Sequence, residues 1–121
     1  MLFRSIHGII PAVITPFDDR DRIDEQAFRT IINYLIKNRV HGIFPAGSQG
    51  EFFALTLEEK KRLIQIAVEE AHGTVFVMAH AGAVTTRESL ELSQFAEKTG
   101  DRKSTRLNSS HIQKSRMPSS A

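Results

Sequence analysis

The chain has 121 residues, of which 40% are apolar and 25% are charged, and its formal net charge is +2. This composition is typical of a globular domain, and the absence of cysteine excludes disulfides, thiol nucleophiles and thiolate metal sites. Because no run of about 18 apolar residues occurs, we predict no membrane span, and we expect a cytoplasmic protein, since disulfides are rare in that compartment.

The charge is divided unequally along the chain. Residues 1–100 carry 11 basic and 13 acidic side chains, whereas residues 101–121 carry five basic and one acidic. The basic segment is rich in serine and contains no aromatic residue that could stack on bases, so we predict no nucleic-acid partner. We expect a folded part over residues 1–100 and, over residues 101–121, a tail that is disordered or an artefact resembling translated cloning-adapter sequence.

The first predicted strand covers residues 8–15. It is apolar on both faces, as expected for a strand that is covered on both sides, although Pro11 removes one ladder donor. The first predicted helix runs from the N-cap Asp24 to about Asn38. Its apolar side chains recur at helical spacing on one face, at Phe28, Ile31, Ile32 and Leu35.

A second short strand is predicted over residues 41–46 and is followed by a loop of residues 47–51, the 47–51 loop. The second predicted helix begins with a capping box, in which Thr56 and Glu59 each satisfy a backbone donor of the other, and ends near Ala71.

The third predicted strand covers residues 74–79 and ends at His80. A second capping box, Thr85 with Glu88, opens a third helix that closes at Gly100. The order βαβαβα, repeated at intervals of about 30 to 35 residues, predicts a parallel sheet with helical crossovers. From this pattern alone, a doubly wound sheet and a TIM barrel both remain open.

Four segments in this order and spacing resemble the dihydrodipicolinate synthase and N-acetylneuraminate lyase family of pyruvate-dependent aldolases: residues 8–17, 42–51, 55–62 and 77–82. The resemblance covers residues 1–100 and implies an α/β fold made of the first three βα units of a (β/α)8 TIM barrel. A complete barrel needs about 250 residues, so we expect a truncated one. The family also implies a homotetramer and lysine Schiff-base chemistry on pyruvate or a related 2-oxo acid, with an aldehyde partner, no cofactor and no metal.

The 47–51 loop is the candidate substrate site. Gly47 and Gly50 allow the backbone to approach a ligand and to aim N–H groups at it. The family motif commonly reads Gly-Thr-Thr-Gly-Glu, so Ser48 keeps the hydroxyl of a proton relay, and Gln49 replaces the threonine that holds the pyruvate carboxylate. Glu51 is expected to orient the loop. An ordinary glycine-containing turn without a ligand is the alternative reading of the same five residues.

Other positions carry weaker signals. Thr15, at the end of the first strand, either lines the pocket or merely ends the strand, and His80 is expected to be structural or solvent-facing because no metal-ligand set accompanies it. The family's Schiff-base lysine lies on the sixth strand, beyond this sequence. The lysines of the folded part fall on predicted helices, which form the outside of a barrel: Lys37, Lys60, Lys61 and Lys98.

We therefore predict that the parent protein is a lyase or aldolase of the 4-hydroxy-tetrahydrodipicolinate synthase type and that the present chain is inactive. The replacement of the second loop threonine by Gln49 leaves the aldehyde partner open. A sugar-acid aldolase, such as N-acetylneuraminate lyase or 2-keto-3-deoxygluconate aldolase, is one alternative. A barrel protein that binds a 2-oxo acid without catalysis is the other.

Overall fold

The computed structural model describes residues 7–99 and the backbone of residues 105–108. Helices and strands follow one another in the order α1 (Glu25–Lys37), β1 (Gly42–Ile43), a 3₁₀ helix (Phe52–Ala54), α2 (Leu57–Ala71), β2 (Phe76–His80), α3 (Thr86–Thr99) and β3 (Thr105–Asn108). β2 lies in the middle of the sheet and pairs in parallel with β1 on one side and β3 on the other.

The first predicted strand, residues 8–15, runs beside β1 but forms only a single parallel bridge, between Ala12 and Phe44. The Phe44 N–H donates to the Pro11 carbonyl and the Val13 N–H donates to the Phe44 carbonyl, each at 3.0 Å. The pairing therefore uses the Pro11 carbonyl and needs no N–H from Pro11, so proline is tolerated at this position.

The three helices begin at the predicted caps. The Asp24 carboxylate accepts from the Ala27 N–H at 3.0 Å, and Thr56 and Glu59 form both bonds of the capping box, at 3.1 and 2.8 Å. Thr85 accepts from the backbone N–H at the third position of α3. Within residues 7–99 and 105–108, none of the helices has the length and apolar character needed to span a bilayer.

The helices cover one face of the sheet. Val13, Ile43 and Val77 point into a core shared with α1 and α2, and Ala79 points into a smaller one shared with α2 and α3. The opposite face carries the alternate residues of the strands, which are Phe44, Phe76, Met78 and His80, and Phe52 of the 3₁₀ helix contacts it at His80.

This one-sided arrangement separates the two folds that the sequence left open. A doubly wound sheet has helices on both faces, whereas in a TIM barrel the helices surround the strands and the second face lines the interior. Ile14, on the second face, is 56% exposed although it is a large apolar residue. The chain therefore has the architecture of the first βα units of a barrel, with Ile14 of its inner face exposed.

β3 lies inside the segment that the sequence predicted to be without structure. Its backbone pairs with β2 in the register Val77 with Thr105 to His80 with Asn108. This differs from the prediction because the composition of residues 105–108 is polar, whereas parallel pairing uses backbone groups, which the open edge of β2 supplies. The other residues of the predicted tail, 101–104 and 109–121, lie outside the described residues.

Glu70 joins α1 to α2. Its carboxylate accepts from the Asn33 amide and from the Arg29 guanidinium, both at 2.6 Å. The hydrogen bond from Asn33, followed by that from Arg29, lowers the pKa of Glu70 below its ordinary value. A carboxyl whose pKa is lowered by folding stabilises the fold above its unfolded pKa, and this contribution disappears as the pH falls through the folded pKa.

We therefore expect Glu70→Gln to be less stable than the wild type at pH 7 and equally stable at about pH 3, below the ordinary glutamate pKa of about 4.3. Urea unfolding followed by circular dichroism at both pH values measures the difference. Glu97→Gln, which removes an exposed carboxylate from α3, is the control and should match the wild type at both pH values. A Glu70→Gln defect that persists unchanged at pH 3 would contradict the assignment.

Candidate functional site

The 47–51 loop joins β1 to α2 through the 3₁₀ helix and lies at the carboxyl end of β1, the end at which barrel enzymes place their sites. Two non-glycine residues with left-handed backbone bracket it, Ala46 at φ 58° and Glu51 at φ 57°. Such conformations are costly for residues with a Cβ, and they are maintained only where the surrounding structure fixes them.

Three backbone hydrogen bonds close the loop. Gly50 N–H and Phe52 N–H both donate to the Gly47 carbonyl, at 3.0 and 3.2 Å, and Glu51 N–H donates to the Ser48 carbonyl at 3.0 Å. The N–H groups of Ser48 and Gln49 take no part in these bonds. The turn is thus rigid, and two successive amide donors remain for a ligand.

Both glycines of the loop lie at tightly packed positions. A Cβ on Gly47 would lie 2.7 Å from the ring of Phe44, and one on Gly50 would lie 3.0 Å from the Val13 carbonyl oxygen and 3.1 Å from Ala46 Cα. The loop is therefore pressed onto the ends of two strands, with no room for a side chain beneath it.

Thr15 fastens the loop to the first strand segment. Its hydroxyl donates to the Gly50 carbonyl at 2.8 Å, and the Thr15 side chain is buried. The sequence left open whether Thr15 lines the pocket or merely ends the strand, and the structure shows a further contact, in which Thr15 supports the loop from below.

The remaining loop residues face outward. Ser48, Gln49 and Glu51 are all exposed, so the Ser48 hydroxyl and the Gln49 amide are available to a bound molecule. Within the described part of the chain, the Glu51 carboxylate makes neither a hydrogen bond nor an ion pair. Glu51 takes part in the loop through its left-handed backbone and its N–H, which donates to the Ser48 carbonyl.

Beneath the loop lies a group of three rings that the sequence did not indicate, the ring stack of Phe44, Phe52 and His80. The centroid of the His80 ring lies 4.6 Å from that of Phe52 and 5.7 Å from that of Phe44, both edge to face. His80 is 1% exposed, so it is structural rather than solvent-facing. The period-two spacing of Phe76, Met78 and His80 along β2 is the signal that places them on one face.

An open depression of about 650 Å³ lies elsewhere, beside the first turns of α1 and α2. Its charged groups are engaged within the fold: Asp24 and Glu59 cap helices, and Glu25 receives both a 2.7 Å and a 2.8 Å bond from Arg62. These contacts show that the charged side chains of the depression connect and cap helices. They leave no reactive group there for chemistry.

A sequence model of the dihydrodipicolinate synthetase family matches residues 5–106, which include the 47–51 loop and all the strand positions described above except the last two residues of β3. The chain belongs to this family. Its members include lyases, and the family match extends into the first residues of β3, slightly beyond the resemblance seen in the sequence alone.

Curated relatives from this family include two activities. The 4-hydroxy-tetrahydrodipicolinate synthase of Methanopyrus kandleri is 48% identical over 97 residues, which are 79% of this chain and 32% of that protein. The N-acetylneuraminate lyase of Citrobacter koseri is 34% identical over 97 residues, 80% of this chain and 33% of that protein. The chain thus spans about a third of the length of the relatives it matches.

Solved structures of the family confirm the fold. The E. coli K12 prophage protein YagE, solved in complex with pyruvate, superposes with a TM-score of 0.74 at 39% identity, covering 77% of this chain and 31% of YagE. A Clostridium difficile protein, CdNal, solved in complex with mannosamine, gives a TM-score of 0.78 at 35% identity, covering 80% of this chain and 34% of CdNal. The TIM-barrel architecture predicted from the sequence is thereby confirmed.

Proposed function

We propose that this chain provides the 2-oxo-acid-binding loop of a pyruvate-dependent aldolase or lyase of the 4-hydroxy-tetrahydrodipicolinate synthase type. The observation that carries the proposal is the rigid 47–51 loop, whose two successive free amide donors stand beside the exposed hydroxyl of Ser48 and amide of Gln49. Clustered N–H donors at a strand end are suited to a carboxylate, and YagE, a relative of similar fold, was solved with pyruvate.

In this proposal, each loop residue has a role toward the substrate. Gly47 brings the backbone close to it, and the Gln49 amide donates to the carboxylate of the 2-oxo acid. The Ser48 hydroxyl passes a proton during the reaction. Thr15 and Glu51 hold the loop in shape, Thr15 through its bond to Gly50.

The covalent chemistry requires an amine that is supplied beyond this sequence. An unprotonated lysine attacks the 2-oxo carbon, water leaves, and an imine forms. The imine accepts the electrons released when the adjacent methyl group loses a proton, and the resulting enamine attacks an aldehyde. Hydrolysis of the imine then frees the lysine. We also propose, from the family, that the complete protein is a cytoplasmic homotetramer that works without a cofactor.

A sugar-acid aldolase is the second candidate. The presence of Gln49 in place of the threonine of the family motif favours it, and this activity occurs among the relatives, in the N-acetylneuraminate lyase of Citrobacter koseri, which is 34% identical. Gln49 is longer than threonine and lacks its hydroxyl, which changes the space and the donors available beside the 2-oxo acid. The third candidate is a protein that binds the 2-oxo acid without catalysing a reaction. Such a protein has the same loop but no lysine that forms a Schiff base.

Titration of the isotope-labelled chain with pyruvate, followed by NMR, tests the proposal. We expect the amide signals of Ser48 and Gln49 to shift, with a dissociation constant near about 1 mM, because only one wall of the pocket is present. Gln49→Ala should weaken binding about tenfold, since a hydrogen bond to a charged group is lost. Gln94→Ala, at an exposed position on α3, should bind as the wild type does.

Propanoate, which has the carboxylate but not the 2-oxo group, is the ligand control. Equal shifts with propanoate and pyruvate would indicate an unspecific anion site. The absence of any shift at these amides would contradict the proposed function.

A further inference from the structure

Lys60, in the first half of α2, is a lysine whose side chain is largely buried. Its side chain is on the helix but is only 5% exposed, which corrects the expectation that the helical lysines lie on the outside of the barrel. Its Nζ lies 5.5 Å from the ring centroid of Phe52. The neighbouring Lys61 has carboxylate partners on Glu58 and Glu91, whereas within the described residues the ammonium of Lys60 has no ion pair and no hydrogen bond.

This position is unfavourable for a charge in two ways. Burial lowers the pKa of Lys60, with Glu88 acting in the opposite direction. Lys60 is also the fourth residue of α2, close to the positive end of the helix dipole, where cations are disfavoured. An aliphatic side chain would fill the same space without these costs. What the ammonium contributes here is its attraction to the face of the Phe52 ring.

Phe52 connects Lys60 to the candidate site by two routes. Its N–H donates to the Gly47 carbonyl at 3.2 Å, which closes the 47–51 loop. Its ring meets the edge of His80, and His80 meets Phe44, whose ring lies directly beneath Gly47. A side chain that fixes the Phe52 ring therefore fixes both the end of the loop and the surface on which it rests.

We propose that Lys60 is a positioning residue for the 47–51 loop, acting through the ring stack of Phe52, His80 and Phe44. The inference deepens the proposed function, on which it rests: Lys60 holds the amides of the 2-oxo-acid site in place without contacting the substrate. The lysine charge is the active feature, because a cation is attracted to the negative face of the ring.

Two substitutions of Lys60 separate charge from packing. Lys60→Met keeps the length and loses the charge, and Lys60→Arg keeps the charge. Hydrogen exchange of the bonded amides of Gly50, Glu51 and Phe52 is the first measurement. We expect it to be about tenfold faster in Lys60→Met and within about twofold of wild type in Lys60→Arg, because one cation–π contact is lost in the former alone.

A residue that only fills space would give the reverse order, because methionine fits an apolar site better than arginine. Amides at the far end of α2, such as that of His72, report whether the helix itself has changed and should exchange at the wild-type rate in both variants. If the amides of Gly50, Glu51 and Phe52 exchange hydrogen at the same rate in Lys60→Met as in the wild type, the proposal is overturned.

The pH dependence is the second measurement. The NMR shifts of the Phe52 ring should change as the pH rises through the lowered pKa of Lys60, and this inflection should be absent in Lys60→Arg. The titratable groups that face Lys60 or its ring are Glu88 on α3 and His80 on β2. Glu88→Gln should move the inflection to lower pH, because a neighbouring negative charge is removed. An inflection that persists in Lys60→Arg would belong to another group and would contradict the proposal.

Pyruvate titration separates this inference from the proposed function. If the wild type binds pyruvate and Lys60→Met binds it equally well, Lys60 does not position the site. If the wild type binds no pyruvate, the proposed function fails, whereas the exchange and ring measurements still decide whether Lys60 holds the loop.

Discussion

The 121-residue chain is expected to form no saturable covalent adduct when it is incubated with pyruvate and sodium borohydride. Borohydride reduces an imine to a stable amine, so the mass of the chain reports whether a lysine has reacted. An imine forms when an unprotonated amine stands next to the bound 2-oxo carbon. In the described part of the chain, no lysine forms a hydrogen bond or an ion pair with the 47–51 loop.

The environment of each described lysine supports this expectation. Within the described residues, Lys37 and Lys98 are exposed in the last turns of α1 and α3 and form neither a hydrogen bond nor an ion pair with the 47–51 loop. Lys61 is held by Glu91 at 2.6 Å, and this hydrogen bond raises its pKa. Lys60 has a lowered pKa, which favours the free amine, but its side chain is buried against Phe52.

The Methanopyrus kandleri synthase is the positive control for the trapping reaction. Unspecific reduction at exposed lysines should increase in proportion to pyruvate concentration, whereas a built site saturates. A saturable adduct of one pyruvate per chain would contradict the prediction, and its absence from Lys60→Arg would then identify Lys60 as the reacting amine. The proposed division of labour, in which this chain supplies the loop and a later strand supplies the lysine, would in that case be wrong.

The helices could be predicted closely because their signals are local. Asp24, Thr56 and Thr85 each bond to backbone within three residues, so the sequence spacing alone defines the start of each helix. The 47–51 loop could be predicted for a similar reason, since its glycines mark positions where a Cβ does not fit.

The strands and the buried polar groups were harder to predict because they depend on residues far away in sequence. The first strand segment acquires its bonds from Phe44, and β3 acquires its pairing from β2. Lys60 was expected to be exposed because its helix faces outward, but its side chain is largely buried and its Nζ lies 5.5 Å from the centroid of the Phe52 ring. The spacing of apolar residues in α2 does not indicate that Lys60 contacts the 3₁₀ helix that precedes α2.

Gly50→Val is expected to destabilise the chain by about 1–3 kcal/mol, the cost of overpacking a close-packed site. The new side chain would meet the Val13 carbonyl and Ala46 Cα, which belong to the backbone and cannot move aside cheaply. This is a large share of the total stability of a domain, which is about 5–15 kcal/mol. The matched control is Gln49→Val, which adds a β-branched residue to the exposed side of the same turn and should cost about 0.5 kcal/mol or less.

A double-mutant cycle with Thr15→Val tests whether the cost arises at the contact between strand and loop. Thr15→Val keeps the shape of Thr15 and removes its bond to the Gly50 carbonyl, which leaves a buried acceptor unsatisfied at a cost of about 1–3 kcal/mol. Because Gly50→Val disturbs the same bond, the double variant should lose less than the sum of the two single losses. Urea unfolding measures all four proteins. Additive losses, or a Gly50→Val chain as stable as Gln49→Val, would show that the 47–51 loop is not fixed by the strand beneath it, and the rigid amide pair on which the 2-oxo-acid site depends would not exist.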